Sequence, residues 1–326
     1  MARYDVNGRT VLITGAARGI GAESARRLHA KGANVALVGL EPDRMEELAA
    51  ELGSRAAVFE ADTTDTGALE RAVAGAVARF GAIDVGIANA GIQMSGAVAT
   101  APERSVERTL EVNLLGVWRT DRALLPQITA RGGYLLNIAS LAAATHAPLM
   151  AAYAASKAGV EAFTNSLRIE TSVTGARVGC AYFGFIDTDI VRGSFAQPSS
   201  AQMREMLPPF MRSPAPLALA IEAIEKGIEK RSARLWAPRY VGPALALRGV
   251  LQPLSEWQMM RMGAKQLAEA VRLADPATGA DRVEDERLGA AANTADSSSP
   301  AAAGGEHGSF TADAAVAGER GAALGA

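Results

Sequence analysis

The stretch VLITGAARGIG, residues 11–21, decides the fold of this chain. It opens with a continuous apolar run, typical of a strand buried on both faces, and its glycines lead directly into a helical pattern. The same order of apolar run and helical pattern recurs along the chain. Further strands are predicted at about 34–38, 56–59, 83–87, 134–138 and 178–183, and helices at about 20–31, 43–52, 66–80, 103–129 and 151–171. This alternation predicts an α/β fold with a doubly wound parallel sheet between two layers of helices.

Composition limits the classes of function. The chain has 326 residues, 49% of them hydrophobic, and a formal net charge of -2, so nothing indicates electrostatic capture of nucleic acid. Cys180 is the only cysteine, which excludes an intramolecular disulfide and a cysteine-rich metal site and agrees with a reducing, cytoplasmic location. The amino terminus lacks the basic start and apolar run of a signal peptide, and no stretch approaches the roughly 20 apolar residues of a membrane span.

The pattern predicts one α/β domain followed by two further segments. Residues 1–240 hold the strand–helix alternation. Residues 241–274 form a helical appendage, which we expect Pro253 to break into two helices. Residues 275–326 are dominated by Ala, Gly, Ser and acidic residues, and we predict that this tail is disordered.

Two segments leave alternatives open. Residues 189–215 show no sustained period, and their position after a strand favours a mobile lid over a plain surface connection. A helix at about 217–230 and a strand at about 233–237 then close the domain. The appendage has an apolar face that could cover a pocket, pack on another subunit or lie on a membrane surface, and packing on protein is the simplest. That face is predicted to comprise Val241, Leu245, Leu247, Val250, Leu251 and Leu254.

The glycine-rich turn is a candidate phosphate site. Glycine permits a tight turn and close approach of the backbone to a pyrophosphate, and the following helix N-terminus offers free N–H groups. Glu41 lies 20 residues beyond Gly21, the spacing at which a carboxylate binds the ribose hydroxyls of NAD and repels the 2′-phosphate of NADP. Arg18 and Arg44 could instead bind that phosphate. We expect NAD or NADP as cofactor and favour NAD.

Tyr153 and Lys157 lie four residues apart in a predicted helix and therefore share one face. A free tyrosine has a pKa of about 10, and a nearby cation lowers that pKa. Reaching about 7 takes roughly 4 kcal/mol, which exceeds what one lysine is expected to supply, so a bound cationic nicotinamide is the natural second source. Taken alone, the pair also fits an ordinary surface helix.

These motifs together resemble those of the short-chain dehydrogenase/reductase family, over about residues 8–240. The matching positions are the turn Thr14 to Gly21, Asp62 in Ala61-Asp62-Thr63, Asn89-Ala90-Gly91, Asn113 in Glu111-Val112-Asn113, Ser140, Tyr153 with Lys157, and Gly184 to Thr188. Each motif is short, but their joint occurrence in this order is specific. The resemblance implies a single Rossmann-type domain and a nicotinamide-dependent oxidoreductase.

The resemblance also implies a role for each of four residues. Tyr153 transfers a proton to or from the substrate oxygen, and Ser140 hydrogen-bonds the same oxygen. Lys157 binds the nicotinamide ribose and lowers the tyrosine pKa, and Asn113 holds a water in a proton relay. Hydride passes directly between nicotinamide and substrate carbon, so no metal is needed. The implied cofactor contacts are Gly15, Arg18, Gly19, Ile20, Gly21, Glu41, Asp62, Asn89, Gly91, Tyr153, Lys157, Gly184, Ile186 and Thr188.

One position departs from the family's pattern. Phe183 precedes Gly184, where the family typically has proline. Proline would fix the backbone of this turn. We expect Phe183 either to loosen the turn or to place an aromatic ring in the pocket.

Three functions remain as hypotheses. The first is an NAD(P)-dependent oxidoreductase acting on a secondary alcohol or ketone. The second is a 3-oxoacyl thioester reductase, although no basic patch for an acyl carrier is evident. The third is a dinucleotide-sensing protein without turnover. A hydrophobic substrate is expected because apolar residues follow the motif positions, namely Ile92, Met94, Leu141, Leu149 and Met150.

The resemblance further implies a homodimer or homotetramer. The family commonly pairs subunits through two long helices, which here correspond to about residues 103–129 and 151–171. Small residues in the second helix, such as Ala151, Ala155 and Gly159, permit close approach. We expect a small-molecule substrate and no nucleic-acid partner.

Overall fold

A seven-stranded parallel sheet forms the centre of the computed structural model, which describes residues 3–281. Its strands are β1 (Thr10–Thr14), β2 (Asn34–Gly39), β3 (Ala56–Glu60), β4 (Val85–Ala88), β5 (Tyr134–Ile138), β6 (Arg177–Phe183) and β7 (Arg234–Ala237). They pair in the order β3-β2-β1-β4-β5-β6-β7, and every neighbouring pair is parallel. The predicted doubly wound sheet is therefore confirmed.

Helices cover both faces of this sheet. They are α1 (Gly19–Ala30), α2 (Pro42–Leu52), α3 (Thr66–Phe80), α4 (Glu103–Leu110), α5 (Gly116–Ala130), α6 (Ala151–Glu170), α7 (Asp189–Ala196), α8 (Pro198–Glu205), α9 (Leu217–Lys230), α10 (Val241–Ala246), α11 (Arg248–Met262) and α12 (Ala264–Leu273). All the helices predicted up to residue 230 are present, with the helix predicted at 103–129 divided as described below.

Alternate side chains of β1 enter two apolar clusters on opposite faces of the sheet. Val11 and Ile13 pack with residues of α1, α2 and α9, whereas Leu12 packs with residues of α3, α5 and α6. All three side chains are at most 1% exposed. Burial on both faces explains why the strands read as continuous apolar runs.

The order in which strands are added to the sheet changes side at β1. The strands β2 and β3 extend to one side of β1, whereas β4, β5, β6 and β7 extend to the other. The loops that follow β1 and β4 therefore diverge and leave a crevice at the carboxyl ends of the strands. Doubly wound sheets bind their ligands at such a switch point.

The long helix predicted at 103–129 contains a π-helical turn at Glu111–Leu115, between α4 and α5. The backbone N–H of Gly116 bonds the carbonyl of Glu111, five residues earlier. A Cβ on Gly116 would lie 2.8 Å from Thr63 Oγ1, so the glycine lets this turn approach the loop after β3. The sequence pattern did not predict the turn, which carries Asn113.

The segment 189–215 is more ordered than its sequence pattern suggests. It forms α7 and α8, separated only by Gln197, and a 3-10 turn at Pro209–Met211. Thr188 caps α7 through its side-chain oxygen, and Pro198 occupies the first turn of α8. Helices this short give no measurable period in the sequence, and the mobile lid stays a prediction.

The appendage consists of α10, α11 and α12, and Pro253 lies inside α11 instead of breaking it. Proline removes one helical hydrogen bond and crowds the carbonyl four residues earlier, which here belongs to Gly249. Gly249 is exposed, so water can reach this part of the helix backbone. The actual breaks come at Leu247 and Gly263.

The apolar residues of the appendage do not share one face, contrary to expectation. Val241 is buried and Leu251 half-buried, whereas Leu247, Val250 and Leu254 are exposed. The inner face packs on the rest of the domain, which confirms the simplest interpretation for that face only.

The predicted tail begins within the described residues. Pro276–Thr278 form one 3-10 turn, and Asp281 Oδ1 accepts a hydrogen bond from Ser199 N–H at 3.4 Å. The rest of the predicted tail, 282–326, lies outside the described residues, and the boundaries at 240 and 274 remain predictions. Within residues 3–281, no helix is both long and apolar enough to cross a membrane.

Candidate active site

The glycine-rich turn after β1 depends on close backbone contacts. Gly15 has φ +65°, and a Cβ there would lie 2.9 Å from Ala90 Cα. A Cβ on Gly21 would lie 2.2 Å from the carbonyl oxygen of Gly15. Only glycine therefore allows the turn and α1 to come this close.

The N-terminus of α1 is open to a ligand. Arg18 precedes the helix in an extended conformation, and no side chain among the described residues caps the first N–H groups. Uncapped N–H groups and the positive end of the helix dipole favour an anion. Ile20 lies in this first turn, and the Cβ position of Gly19 lies 3.5 Å from Thr188 Cγ2. The site thus fits the phosphates of a dinucleotide on geometric grounds.

Asn89 fixes the glycine-rich turn from the neighbouring strand. Its Nδ2 donates to the carbonyls of Thr14 at 3.0 Å and Gly15 at 3.2 Å. The hydroxyl oxygen of Thr14 accepts from the N–H groups of Asn89 and Ala90 at 3.1 and 3.2 Å. Sequence reasoning omitted Thr14 from the site, although the threonine stands first in the quoted glycine motif.

Glu41 lies between two arginines at the end of β2. Arg18 Nε donates to Glu41 Oε1 at 2.9 Å, and a second guanidinium nitrogen bonds Oε2. Arg44 Nε lies 3.4 Å from Glu41, and Asp189 lies 4.0 Å from Arg18 on the other side. The carboxylates of Glu41 and Asp189 therefore neutralise the two cations that would otherwise attract a 2′-phosphate.

Asp62 follows β3 at the same edge of the sheet. Its carboxylate accepts from Thr64 N–H at 2.8 Å and from Arg108 Nη2 at 3.1 Å. Burial alone would raise the pKa of Asp62, but these hydrogen bonds hold it below its usual range. Asp62 is therefore an ionised acceptor at neutral pH.

Asn113 is buried in the π-helical turn and bonded at both side-chain atoms. Its Oδ1 accepts from Ile92 N–H and its Nδ2 donates to the Ile92 carbonyl, each at 2.8 Å. Nδ2 also lies 3.3 Å from Ser156 Oγ, whose hydroxyl donates to the Tyr153 carbonyl at 2.7 Å. A Cβ on Gly91 would lie 3.1 Å from Asn113 Oδ1. Sequence reasoning missed Ser156, although it lies inside the Tyr153–Lys157 run.

Ser140, Tyr153 and Lys157 converge near the carboxyl end of β5. Lys157 is 4% exposed, and its Nζ donates to the carbonyl of Ile138, the last residue of β5, at 2.9 Å. The same Nζ lies 5.7 Å from the centre of the Tyr153 ring. The side chain of Ser140 lies close enough to Tyr153 to influence its phenol, and the Ser140 hydroxyl donates to the Phe183 carbonyl at 3.3 Å.

Burial shifts the pKa values of both Tyr153 and Lys157. Burial raises the pKa of Tyr153, and the side chain of Ser140 only partly opposes this rise. Burial also lowers the pKa of Lys157 to about 8. In the protein alone the phenol therefore stays protonated at neutral pH. The lowering of its pKa by Lys157 together with a bound nicotinamide stays a prediction.

Phe183 ends β6 and does not enter the pocket. It is 4% exposed, packs in the apolar cluster with Ile186 and Ala237, and pairs with Ala237 across the sheet. Gly184 N–H continues that pairing by donating to the Ala237 carbonyl at 2.9 Å. Of the two expectations for Phe183, the aromatic pocket wall was therefore wrong. Gly184, Ile186 and Thr188 follow in the loop that leads into α7.

The loop between Ser140 and α6 is held by the appendage. Gln252 of α11 accepts from His146 N–H at 2.7 Å and donates to the His146 carbonyl at 3.4 Å. Leu149 has φ +65°, which is unusual for a residue with a side chain, and packs with Ala97 and Ala270. Leu149 and Met94 also line a cavity of about 200 Å³ between this loop and α4. Helix α12 thus packs through Ala270 behind the loop that carries Leu149.

Within residues 3–281, no cluster of three or more His, Cys, Asp or Glu side chains could hold a metal ion. Cys180 is buried.

Comparison with known proteins assigns the family. The family model described as short chain dehydrogenase matches residues 9–199. The chain belongs to this family and is an oxidoreductase of the short-chain dehydrogenase/reductase type.

The matches with particular relatives extend over most of the length of each relative. The chain is 37% identical over 186 residues to nodulation protein G of Rhizobium sp. (strain N33), covering 57% of this chain and 76% of that protein. It is 36% identical over 194 residues to trans-4-hydroxycyclohexanecarboxylate dehydrogenase of Sinomonas cyclohexanicum, covering 57% and 75%. A crystal structure of 3-ketoacyl-(acyl-carrier-protein) reductase from Brucella melitensis complexed with NADH matches with TM-score 0.64 and 26% identity, over 71% of this chain and 97% of that chain.

Proposed function

We propose that the protein interconverts a hydrophobic secondary alcohol and its ketone, with Tyr153 as the general acid/base. The observation that carries this proposal is the convergence of Ser140, Tyr153 and Lys157 near the end of β5, beside the glycine-rich turn. When bound, the nicotinamide dinucleotide would supply or accept the hydride. The protein's own residues supply the proton, orient the substrate and bind the cofactor.

Tyr153 and Ser140 act on the substrate oxygen. During reduction, the Tyr153 hydroxyl donates its proton to the oxygen of the ketone, while Ser140 donates a hydrogen bond to the same oxygen. The raised pKa of the phenol supports this donor role. During oxidation, Tyr153 must first lose its proton, and Lys157 together with a cationic cofactor would favour that loss.

Lys157 and Asn113 restore the proton of Tyr153. The Lys157 ammonium is held by the Ile138 carbonyl, and a pKa of about 8 lets it exchange protons near neutral pH. Asn113 is fixed by its two bonds to Ile92, which supports its role in positioning a water that leads to solvent. Ser156 connects Asn113 with the Tyr153 backbone.

The cofactor is proposed to be NAD. Gly15, Gly19, Gly21, Arg18 and Ile20 would hold the pyrophosphate, and the carboxylate of Glu41 would accept the ribose hydroxyls. Further binding residues are proposed to be Asp62, Asn89, Gly91, Tyr153, Lys157, Gly184, Ile186 and Thr188. The pairing of Arg18 and Arg44 with Glu41 supports NAD over NADP, because neither cation is left without a carboxylate.

The substrate is proposed to be an alicyclic or similarly hydrophobic compound. Leu149 and Met94 give the cavity beside the site an apolar lining. The likeness to a trans-4-hydroxycyclohexanecarboxylate dehydrogenase supports an alicyclic secondary alcohol. A 3-oxoacyl thioester is the second candidate, favoured by the likeness to a 3-ketoacyl-(acyl-carrier-protein) reductase.

The assembly is proposed to be a homodimer or homotetramer, paired through α4 with α5 and through α6. Trp118 and Ile169 are exposed large apolar side chains on these helices and support burial by another subunit. The single buried thiol of Cys180 agrees with a cytoplasmic location.

A comparison of alternative substrates tests the proposal. Oxidation of NADH would be followed with 4-oxocyclohexanecarboxylate, a 3-oxoacyl thioester and a small polar sugar ketone as alternative substrates. We expect turnover of the alicyclic ketone and no turnover of the sugar. Turnover of the thioester alone would favour the second candidate. Dinucleotide binding without turnover of any ketone or alcohol across a broad hydrophobic panel would favour the sensing function.

A further inference from the structure

Helix α11 and the residue before it present a row of exposed apolar side chains. Leu247, Val250, Leu254, Trp257 and Met260 are 49–67% exposed. They recur every three or four residues and therefore form one ridge along the helix. We call these five residues the α11 ridge.

The opposite face of α11 is attached to the domain. Gln252 bonds the His146 backbone, and Arg248 Nη1 lies 2.8 Å from Glu161 Oε2 on α6. Leu251 and Met259 are half-buried on this inner side. A surface helix normally presents polar and charged side chains to solvent, whereas α11 presents the apolar ridge. The contacts of its inner face keep the ridge on the outer side of the helix.

Two basic residues lie at the carboxyl end of the ridge, although the whole chain has a net charge of -2. Between residues 247 and 265 the basic residues are Arg248, which pairs with Glu161 on the opposite face, Arg261 and Lys265, and the single acidic residue is Glu256. Arg261 lies over the Trp257 ring at 5.9 Å, and Lys265 is exposed one turn further on. Glu256 is engaged by Gln252 at 2.7 Å.

We propose that the α11 ridge docks the protein on an anionic lipid surface, with α11 lying in the plane of the interface. Leu, Val and Met side chains favour the boundary of the acyl region, and Trp favours the level of the headgroups. Arg261 and Lys265 would meet anionic headgroups at the same time. This docking needs no membrane-spanning helix.

The charge pattern favours lipid over a second copy of the chain. A two-fold contact places the same surface on both subunits, so Arg261 and Lys265 of one subunit would face the same basic surface of the other. Glu256, already bonded to Gln252, is the only carboxylate between residues 234 and 265. A lipid surface instead supplies many negative charges without bringing any cations of its own.

Vesicle co-sedimentation tests the proposal with the full chain. Vesicles of phosphatidylcholine alone would be compared with vesicles that also contain phosphatidylglycerol. We expect the protein to pellet with the anionic vesicles only, and to be released as salt screens the headgroups. The intrinsic fluorescence of Trp257 should shift to shorter wavelength on binding, in a chain carrying Trp118→Phe and Trp236→Phe.

Two sets of variants identify the surface. Val250→Ser with Leu254→Ser and Trp257→Ser should lower partitioning about tenfold or more. Val173→Ser with Leu219→Ser removes exposed apolar groups elsewhere, at 90% and 40% exposure, and should leave partitioning unchanged. If the triple variant does not fold, Arg261→Gln with Lys265→Gln keeps the ridge and should weaken binding to anionic vesicles.

Three results would overturn the proposal. They are an absence of pelleting by the wild type, equal pelleting of wild type and folded triple variant, and self-association that depends on the ridge and excludes vesicles. The last result would assign the ridge to contact between copies of the chain. None of the ridge residues belongs to the proposed active site, so these outcomes are independent of the oxidoreductase proposal.

Discussion

Asn113 and Ile92 exchange two hydrogen bonds of 2.8 Å, one in each direction between the amide side chain and the backbone. This pair joins the π-helical turn to the loop after β4. It fixes the amide where its nitrogen also reaches Ser156, and through Ser156 it supports the backbone of Tyr153. A structural contact between two loops therefore also orients the proposed catalytic residues.

Removing this pair should cost stability as well as activity. Asn113→Ala leaves one buried donor and one acceptor of Ile92 without a partner, which should lower the free energy of unfolding by about 2–3 kcal/mol. Asn113→Asp keeps the acceptor, so its free energy of unfolding should lie between those of Asn113→Ala and the wild type. Urea unfolding checks both. Asn165→Ala, which loses only a bond with Arg168, is the control, and an equal effect of the two alanine variants would refute this account.

The contact between Gly21 and Gly15 predicts a specific loss of dinucleotide binding. A Cβ at Gly21 would meet the Gly15 carbonyl at 2.2 Å and force the phosphate-binding turn apart. Gly21→Ala should therefore weaken NADH binding at least about tenfold. Gly53→Ala is the matched control, because Gly53 has φ +78° but nothing within 4 Å of its Cβ position. Gly53→Ala should lower stability by about 1 kcal/mol. It should leave the affinity for NADH, measured by fluorescence titration, unchanged.

The bonds of Glu41 with Arg18 and Arg44 predict the choice of cofactor. The wild type should bind NADH more tightly than NADPH, because the carboxylate occupies both cations and repels a phosphate. Glu41→Ala should free the two arginines and shift the preference toward NADPH by about tenfold. Fluorescence titration with both dinucleotides measures this, with Glu46→Ala as the control of equal charge change. Tighter NADPH binding by the wild type would reverse the assignment.

The buried carboxyl of Asp121 predicts a dependence of stability on pH. Burial raises the pKa of Asp121 to about 7, opposed by the hydrogen bond from Asn137 at 2.7 Å. Between about pH 4 and pH 7 the unfolded chain loses this proton and the folded chain keeps it. This contribution to the free energy of unfolding should therefore decrease as pH rises through that window, by about 4 kcal/mol.

Asp121→Asn should remove this slope, which urea unfolding at a series of pH values would measure. Asp43→Asn, on the exposed start of α2, is the control and should keep the wild-type slope. Identical slopes in wild type and Asp121→Asn would show that Asp121 is ionised throughout.

The sequence predicted the sheet and its helices well because strand and helix periods are local properties. The helices at 66–80 and 217–230 and the strand at 134–138 have the predicted bounds. Each proposed catalytic side chain also lies near the carboxyl ends of the strands, because the family motifs directly follow strands or occupy helices packed beside them.

Features that depend on tertiary contacts were not predicted. The π-helical turn at Glu111–Leu115 accompanies the close approach of Gly116 to Thr63, a tertiary contact that no local pattern reveals. Pro253 was expected to break the appendage, but it lies inside α11. The bond between Gln252 and His146 joins residues far apart in sequence. The raised pKa of Tyr153 follows from burial, which the spacing to Lys157 cannot show.

The rate of ketone reduction by the Tyr153→Phe variant tests the central claim most directly. This change removes only the phenolic oxygen and should lower the rate of ketone reduction by about 10²–10⁴-fold, with NADH binding retained. Tyr4→Phe, which removes a hydroxyl 3.5 Å from the Asp84 carbonyl, is the control and should keep full activity. Wild-type turnover by Tyr153→Phe would contradict the assignment of Tyr153 as the proton donor.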